Sequence, residues 1–244
     1  MAKFGLIGRN IDYSFSRTHF SSKFKNEDLP YSYVNFDIDD ITKFSEILND
    51  NKDILGLNVT IPYKEQIIPY LDLLNKTASK IGAVNTIKFH SSGKIEGYNT
   101  DYYGFQKSIE PYLKSHHKKA LILGTGGASK AIAYALKKLK IKFEYVSRSP
   151  QPKAKYHYTD LTIDIIKNHQ LIINCTPIGT HPNTNQCPDI PYDGITKNHL
   201  LFDLIYNPEK TKFLECGELM GATICNGSKM LEYQAEKAWD IWFK

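Results

Sequence analysis

Ala120-Leu-Ile-Leu-Gly-Thr-Gly-Gly-Ala-Ser-Lys-Ala131 carries three signals in succession. Leu121, Ile122 and Leu123 form an apolar run of buried-strand type, and Gly124, Gly126 and Gly127 punctuate it. Ala131, Ile132, Ala135, Leu136 and Leu139 then recur at helical spacing. Strand, glycine turn and helix in that order make the phosphate cradle of a dinucleotide-binding unit. The glycines let the backbone approach a pyrophosphate, and the helix N-terminus offers it free N–H groups. The third glycine of G-x-G-x-x-G is absent, so the match is partial. A glycine turn joining any strand to any helix has similar letters; the flanking elements favour the cofactor.

The next strand pattern, Lys142-Phe-Glu-Tyr-Val-Ser-Arg-Ser149, bears on which cofactor. An NAD site carries an acidic residue at the end of this strand to bind the ribose 2′-hydroxyl. Here Ser147, Arg148 and Ser149 stand in its place. A guanidinium between hydroxyls suits a 2′-phosphate, so NADP is expected. Taken alone, Arg148 could equally be a solvated residue in a surface turn.

The chain has 244 residues, of which 41% are hydrophobic, enough for one large or two small domains with real cores. No apolar stretch is long enough to span a membrane. The first residues look like a strand rather than a signal peptide. Cys175, Cys187, Cys216 and Cys225 show no C-x-x-C pairing, which argues against zinc and against a disulfide framework. A reduced, cytoplasmic setting is the expectation. The net charge of +5 suits small anionic ligands, and no long basic block points to nucleic acid. Residues 114–119, the densest basic patch, read as a solvated connector.

Residues 3–8 read as the first strand. Asp12-Tyr-Ser-Phe-Ser-Arg-Thr-His19 is a hydroxyl-rich stretch before a helix carrying Phe20 and Phe24, and its hydroxyls could simply cap that helix. Residues 31–38 alternate as a strand, Ile41, Phe44, Ile47 and Leu48 mark a short helix, and residues 55–60 form another strand. In Asn58-Val-Thr-Ile-Pro-Tyr-Lys64, Pro62 favours the first position of a helix that Pro69 ends. Lys64 would then sit in the first helical turn, where the dipole disfavours a cation. That is an odd place for a structural lysine and a useful one for a lysine that transfers a proton. Residues 82–89 and 95–101 read as a hairpin about Ser91-Ser-Gly-Lys94. Asn85, Thr86, Asn99, Thr100 and Asp101, as single residues, read as turn and cap groups. Residues 171–179 and 200–206 add strands of a parallel sheet, whose carboxyl ends hold ligands; residues 181–193 read as a loop. The last helix carries Met230, Leu231, Ala235, Ala238 and Trp242 on one face. Beside them Gln234 is either a core amide or a ligand contact.

These blocks, taken in order, resemble the shikimate dehydrogenase family over nearly the whole chain. Ser14-Phe-Ser16 resembles its S-x-S pair, and Asn58 through Lys64 its N-V-T-x-P-x-K. Gly82-Ala-Val-Asn-Thr86, Gly97-Tyr-Asn-Thr-Asp101, Gly124-Thr-Gly-Gly-Ala128, Ser147-Arg-Ser149, Asn174-Cys-Thr-Pro-Ile-Gly179 and Asp203-Leu-Ile-Tyr-Asn-Pro208 continue the series. Gly227 through Gln234 resembles the closing G-x-x-M-L-x-x-Q. The resemblance implies a two-domain α/β enzyme. Residues 1–101, completed by the helix 228–244, would bind substrate; residues 102–227 would be a Rossmann-type NADP domain. It implies reversible NADPH-dependent reduction of 3-dehydroshikimate to shikimate in aromatic amino-acid biosynthesis, by a monomer or homodimer.

By the same resemblance Lys64 and Asp101 are the catalytic pair. Ser14, Ser16, Asn58, Thr60, Asn85, Tyr206 and Gln234 join them in binding substrate. Gly124, Gly126, Gly127, Ala128, Ser147, Arg148, Ser149, Thr176, Gly227 and Met230 bind NADP. The chemistry agrees: a carbonyl oxygen gaining charge needs a proton, which a lysine ammonium can donate, and no metal is needed. Three features depart from the family pattern. Arg17-Thr18 follows Ser16 where proline is common, Ser147 and Ser149 replace Asn and Thr around the arginine, and the stretch 150–170 is short. Three other readings compete: a quinate/shikimate dehydrogenase of relaxed choice, a folate-linked dehydrogenase sharing the sheet, and a binding protein without turnover.

Overall fold

The computed structural model describes residues 2–12 and 14–243; Met1, Tyr13 and Lys244, the second of them in the hydroxyl-rich stretch quoted above, lie outside the described residues. The chain divides into two units: one runs to Thr100 and resumes at Ala235, the other comprises Asp101–Gln234.

In the first unit the elements are β1 (Ala2–Gly8), α1 (Phe15–Asn26), β2 (Tyr31–Asp37), α2 (Phe44–Asp50), β3 (Ile54–Val59), β4 (Leu73–Leu74), α3 (Lys76–Ile81), β5 (Thr86–Phe89) and β6 (Ile95–Tyr98). The sheet order is β2-β1-β3-β5-β6-β4. β1 pairs in parallel with β2 and β3, whereas β5 is antiparallel to both β3 and β6. The expected hairpin is therefore present, although its first strand begins only at Thr86. Side chains alternate across the strands. Ile7, Leu57 and Val59 enter one core with Tyr63, Ile67 and Val84, while Phe4 and Leu6 enter another with Phe20, Phe24 and Tyr33. The end of the last helix closes this second layer. Trp242 donates its indole N–H to the Ile87 carbonyl at 3.0 Å, over Gly56, where a Cβ would lie 2.3 Å from the indole nitrogen.

The helix expected at Pro62 does not form. Residues 61–67 are consecutive turns, followed by a single 3₁₀ turn at Ile68–Tyr70. The reason lies in where the backbone groups go. The Lys64 carbonyl accepts from Val84 N–H at 2.7 Å instead of from a residue one helical turn on, and Ile68 N–H turns to Glu65. Tyr63 is likewise committed, its hydroxyl donating to the Ile38 carbonyl at 2.7 Å. The helix-dipole argument about Lys64 falls with the helix.

The second unit contains α4 (Asp101–Ile109), β7 (Lys119–Leu123), α5 (Gly127–Lys138), β8 (Lys142–Ser147), β9 (Ala154–His157), α6 (Ile163–Lys167), β10 (Leu171–Asn174), β11 (Leu200–Asp203), α7 (Lys212–Leu219) and β12 (Thr223–Cys225), and it ends in α8 (Ser228–Phe243), whose last residues belong to the first unit. All six strands are parallel, in the order β12-β11-β10-β7-β8-β9. With β7 as first strand, this is the 3-2-1-4-5-6 order of a doubly wound dinucleotide-binding sheet. Both faces are covered, as parallel sheets require. Ala120, Ile122, Leu171, Ile173, Leu200 and Phe202 face Phe105, Ile132, Leu136 and Met230. The alternate residues Leu121, Leu123, Ile172 and Leu201 face Ile166, Phe213 and Leu214. The connector at 114–119 is solvated except for His117, which is buried. Its Nδ1 accepts from Lys114 N–H, its Nε2 lies 3.2 Å from the Asn198 carbonyl, and burial pushes its pKa below the usual histidine value. Among the described residues no helix is long and apolar enough to cross a membrane.

Candidate active site

Six of the expected site residues lie in the first unit: Ser14, Ser16, Asn58, Thr60, Lys64 and Asn85. Ser14 caps α1, its Oγ accepting from Arg17 N–H at 3.2 Å. A proline at position 17 would lack that N–H, so this cap needs a residue other than proline there. The Ser14 hydroxyl also donates to Asn35 Oδ1. Ser16 hydrogen-bonds the Tyr33 hydroxyl, whose ionisation burial pushes far above the ordinary tyrosine range. Tyr33 in turn donates to Asn58 Oδ1 at 2.7 Å.

Asn58 stands on β3, and its amide nitrogen reaches the Asn85 carbonyl and Thr86 Oγ1. Asn85 accepts from Thr100 N–H at 2.7 Å and donates to Thr100 Oγ1 at 3.0 Å. A connected polar tier thus runs through Ser16, Tyr33, Asn58, Thr86, Asn85 and Thr100, and all but Ser16 of these are buried. Low local dielectric stiffens such a network once its members are paired. Lys64 is tied to it through the Lys64–Val84 backbone bond, one residue from Asn85. Tyr33, Thr86 and Thr100 escape the sequence-based selection of site residues. The available signal is polar residues placed among apolar strand positions.

The second unit holds the rest. Asp101 is buried and is the first residue of α4, so its carboxylate sits at the positive end of that helix. Gln234 is buried too, its amide donating to the Leu231 carbonyl. Gly104 lets α4 approach α8, for a Cβ there would lie 2.4 Å from the Met230 carbonyl. Met230 itself packs in the core beneath β7 and β11. Tyr206 is exposed just past β11. Gly227 also has a packing role: a Cβ would lie 2.2 Å from the Leu204 carbonyl.

The glycine turn fits a dinucleotide. Gly124 has φ +101°, a conformation that favours glycine, and abuts Thr176 of the neighbouring strand end. Gly126 caps α5 with no side chain, and a Cβ built on it meets nothing within 4 Å. The first turn of α5 contains Gly127 and Ala128 and no acidic residue. Open space before bare helix N–H groups is what a pyrophosphate occupies. At the end of β8, Ser147 is buried and accepts from Ser149 N–H, while Arg148 is exposed. Lys153, not selected from sequence, reaches the Thr125 carbonyl inside the glycine turn. Both cations suit a phosphorylated ribose.

Asn174 and Asp203, at the ends of β10 and β11, brace this edge. Asn174 Oδ1 accepts from the N–H and hydroxyl of Thr176, and its amide donates to Asp203 Oδ1 at 3.1 Å. Asp203 also accepts from Ile205 N–H at 3.0 Å and Thr211 Oγ1 at 2.6 Å. Burial raises its carboxyl from 3.8 to about 6, against those three bonds. Between these values the folded chain holds a proton that the unfolded chain has lost. Stability from this group is therefore greatest below about pH 4, declines towards about pH 6, and is flat above, by roughly 3 kcal/mol in all. Urea unfolding of wild type and Asp203→Asn across that window should show the difference drifting by this order. A pH-independent difference would remove the buried charge from the account.

Comparison with known proteins follows the same lines. The family model described as shikimate dehydrogenase substrate binding domain matches residues 6–87. A shikimate dehydrogenase (NADP(+)) of Clostridium botulinum is 41% identical over 98% of this chain and 95% of its own length. A crystal structure of a shikimate dehydrogenase in complex with NADP⁺ superposes with a TM-score of 0.87 at 34% identity, covering 99% of this chain and 90% of that one. The Thermus thermophilus shikimate 5-dehydrogenase, in complex with NADP(H) and shikimate, gives 0.87 at 26% identity over 99% and 93%.

Proposed function

The chain belongs to the shikimate dehydrogenase family, and from that premise we propose that it catalyses the reversible NADP-dependent reduction of 3-dehydroshikimate to shikimate, a step of aromatic amino-acid biosynthesis, in the cytoplasm. The observation that carries this reading is the presence in one chain of two complementary parts. One is the doubly wound sheet with open space before Gly126. The other is a buried tier of hydrogen-bonding side chains ending next to Lys64.

The first unit binds the polyhydroxylated substrate and the second binds NADP. When bound, NADPH supplies the hydride. Lys64 donates the proton that the developing alkoxide takes up, and its charge stabilises that oxygen beforehand. Asp101 accepts a hydrogen bond from a substrate hydroxyl and forms the catalytic pair with Lys64. Ser14, Ser16, Asn58, Thr60, Asn85, Tyr206 and Gln234 bind the carboxylate and hydroxyls. Such a site discriminates against analogues lacking a hydroxyl, because its own buried groups would be left unpaired. Gly124, Gly126, Gly127 and Ala128 hold the pyrophosphate beside Thr176. Ser147, Arg148 and Ser149 hold the 2′-phosphate, and Gly227 and Met230 lie at the nicotinamide end.

The direct test is shikimate-dependent reduction of NADP by the purified protein, with NAD and quinate in parallel. Turnover confined to shikimate and NADP supports the assignment, whereas equal turnover with quinate or NAD favours the relaxed relative. NADP binding without any turnover would overturn it. Arg148→Ala should raise KM for NADP about 10–100-fold, the worth of one charge-assisted phosphate contact, and leave the response to NAD unchanged. An equal loss with both cofactors would mean that Arg148 acts on folding instead.

A further inference from the structure

The orientation of a buried asparagine amide is decided by neighbours that can only donate or only accept. Asn85 has such a neighbour. The Thr100 N–H, which can only donate, lies 2.7 Å from Asn85 Oδ1. The amide oxygen therefore faces Thr100, and the amide nitrogen donates to Thr100 Oγ1 at 3.0 Å. Thr100 thus holds Asn85 at two points, through its main chain and its side chain. Thr86 donates its hydroxyl to the same Oδ1 at 3.2 Å. Both lone pairs of that oxygen are then filled, and an N–H is all that Asn85 can offer a ligand.

The strand pairing does not need this clamp. Asn85 N–H donates to the Tyr98 carbonyl at 3.0 Å, and the Asn85 carbonyl accepts from Val59 N–H at 2.9 Å. β5 and β6 are held in register from Thr86 and Tyr98 onward by their own ladder. Asn85, Thr86 and Thr100 are all buried, where apolar side chains would pack without the cost of desolvating polar groups. Asn58 repeats the device: its amide nitrogen faces the Asn85 carbonyl, which can only accept, so its oxygen is turned to the Tyr33 hydroxyl. Side chains locked in this way by the groups behind them are what a precise binding site requires.

We propose, resting on the reading that Asn85 binds substrate, that Thr100 is a positioning residue for the reaction. It fixes the Asn85 amide with its oxygen turned inward, so that Asn85 meets the substrate only as an N–H donor. The group it takes is a lone pair on a substrate oxygen. A donor presented at the same place is refused, because two N–H groups would face each other.

The test compares the full chain with Thr100→Val and Thr100→Ser in turnover of shikimate with NADP, in thermal unfolding, and by NMR of the asparagine side-chain amides. Valine keeps the shape and the backbone N–H of Thr100 and removes only the hydroxyl. It should raise KM for shikimate about tenfold, the worth of one buried hydrogen bond, with kcat within about twofold and KM for NADP unchanged. The Asn85 amide protons should exchange about tenfold faster in it. Serine restores the hydroxyl and should return both readouts to near the parent values. A lowered melting temperature with an unchanged KM would make Thr100 a structural residue and overturn the proposal, as would an equal rise in KM for Thr100→Ser. Should Thr100→Val fold poorly, Asn85→Asp decides. It keeps the oxygen that the Thr100 N–H needs but has no N–H to give, so KM should rise at least as far; an unchanged KM would overturn the donor role. If the parent chain does not turn over shikimate, the reading of the reaction fails on its own. Exchange of the Asn85 amide protons with and without shikimate then decides the positioning role: slowing by shikimate supports it, and no difference overturns it.

Discussion

Replacing Lys64 with alanine is expected to lower turnover by about 10²–10⁴-fold, the usual worth of a positioned proton donor, while NADP affinity stays within a few-fold of the parent. The division follows from where Lys64 sits. Its backbone is locked by the bond from Val84 N–H to the Lys64 carbonyl, so truncating the side chain leaves the turn intact. The cofactor cradle at Gly124–Gly127 belongs to a different unit with its own core. Steady-state kinetics with shikimate, together with fluorescence titration of NADPH, separate the two effects. Retention of full turnover would remove Lys64 from the chemistry. A matching fall in NADPH affinity would mean that the change is not confined to the proton donor.

The largest loss of stability is expected from Asp203→Ala, at about 3–5 kcal/mol in urea unfolding followed by circular dichroism. Removing this carboxylate leaves the Asn174 amide, the Ile205 N–H and the Thr211 hydroxyl without their acceptor. Asn174 also sets Thr176 through two bonds, so NADP affinity should fall with stability. Asp203→Asn keeps one acceptor oxygen in the same place and should cost much less. A small loss for alanine would show that water can enter and replace the carboxylate.

The second unit was the more legible half of the sequence, for a physical reason. Strands buried on both faces are short apolar runs, and the residues that stop them, Gly124 and Arg148 among them, are chemically distinctive. The segment from Pro62 to Pro69 was not legible. Local preference favours a helix there, but the deciding contacts, Val84 to Lys64 and Tyr63 to Ile38, come from elsewhere in the chain. β4 and β12, at two and three residues, are too brief to show a period. Among site residues, Lys64, Asp101 and the glycine turn stand out by type and order. Tyr33 and Thr100 do not, because a buried polar residue is recognised by its partners, and partners distant in sequence leave no local trace. The burial of His117 within the basic connector 114–119 is hidden for the same reason. Nothing in its basic surroundings announces the Asn198 carbonyl it meets.

The shared helix α8 also sets the order in which the protein can be made. Residues 1–100 leave the ribosome first, yet the layer over Phe4, Phe20 and Phe24 is not complete until Ala238 and Trp242 have been added. The whole of Asp101–Gln234 is translated in between, which at 5–20 residues per second takes roughly 7–27 s. The first unit thus displays an uncovered aromatic surface throughout the synthesis of the second. Of the two units, the one synthesised first is the last to be sealed.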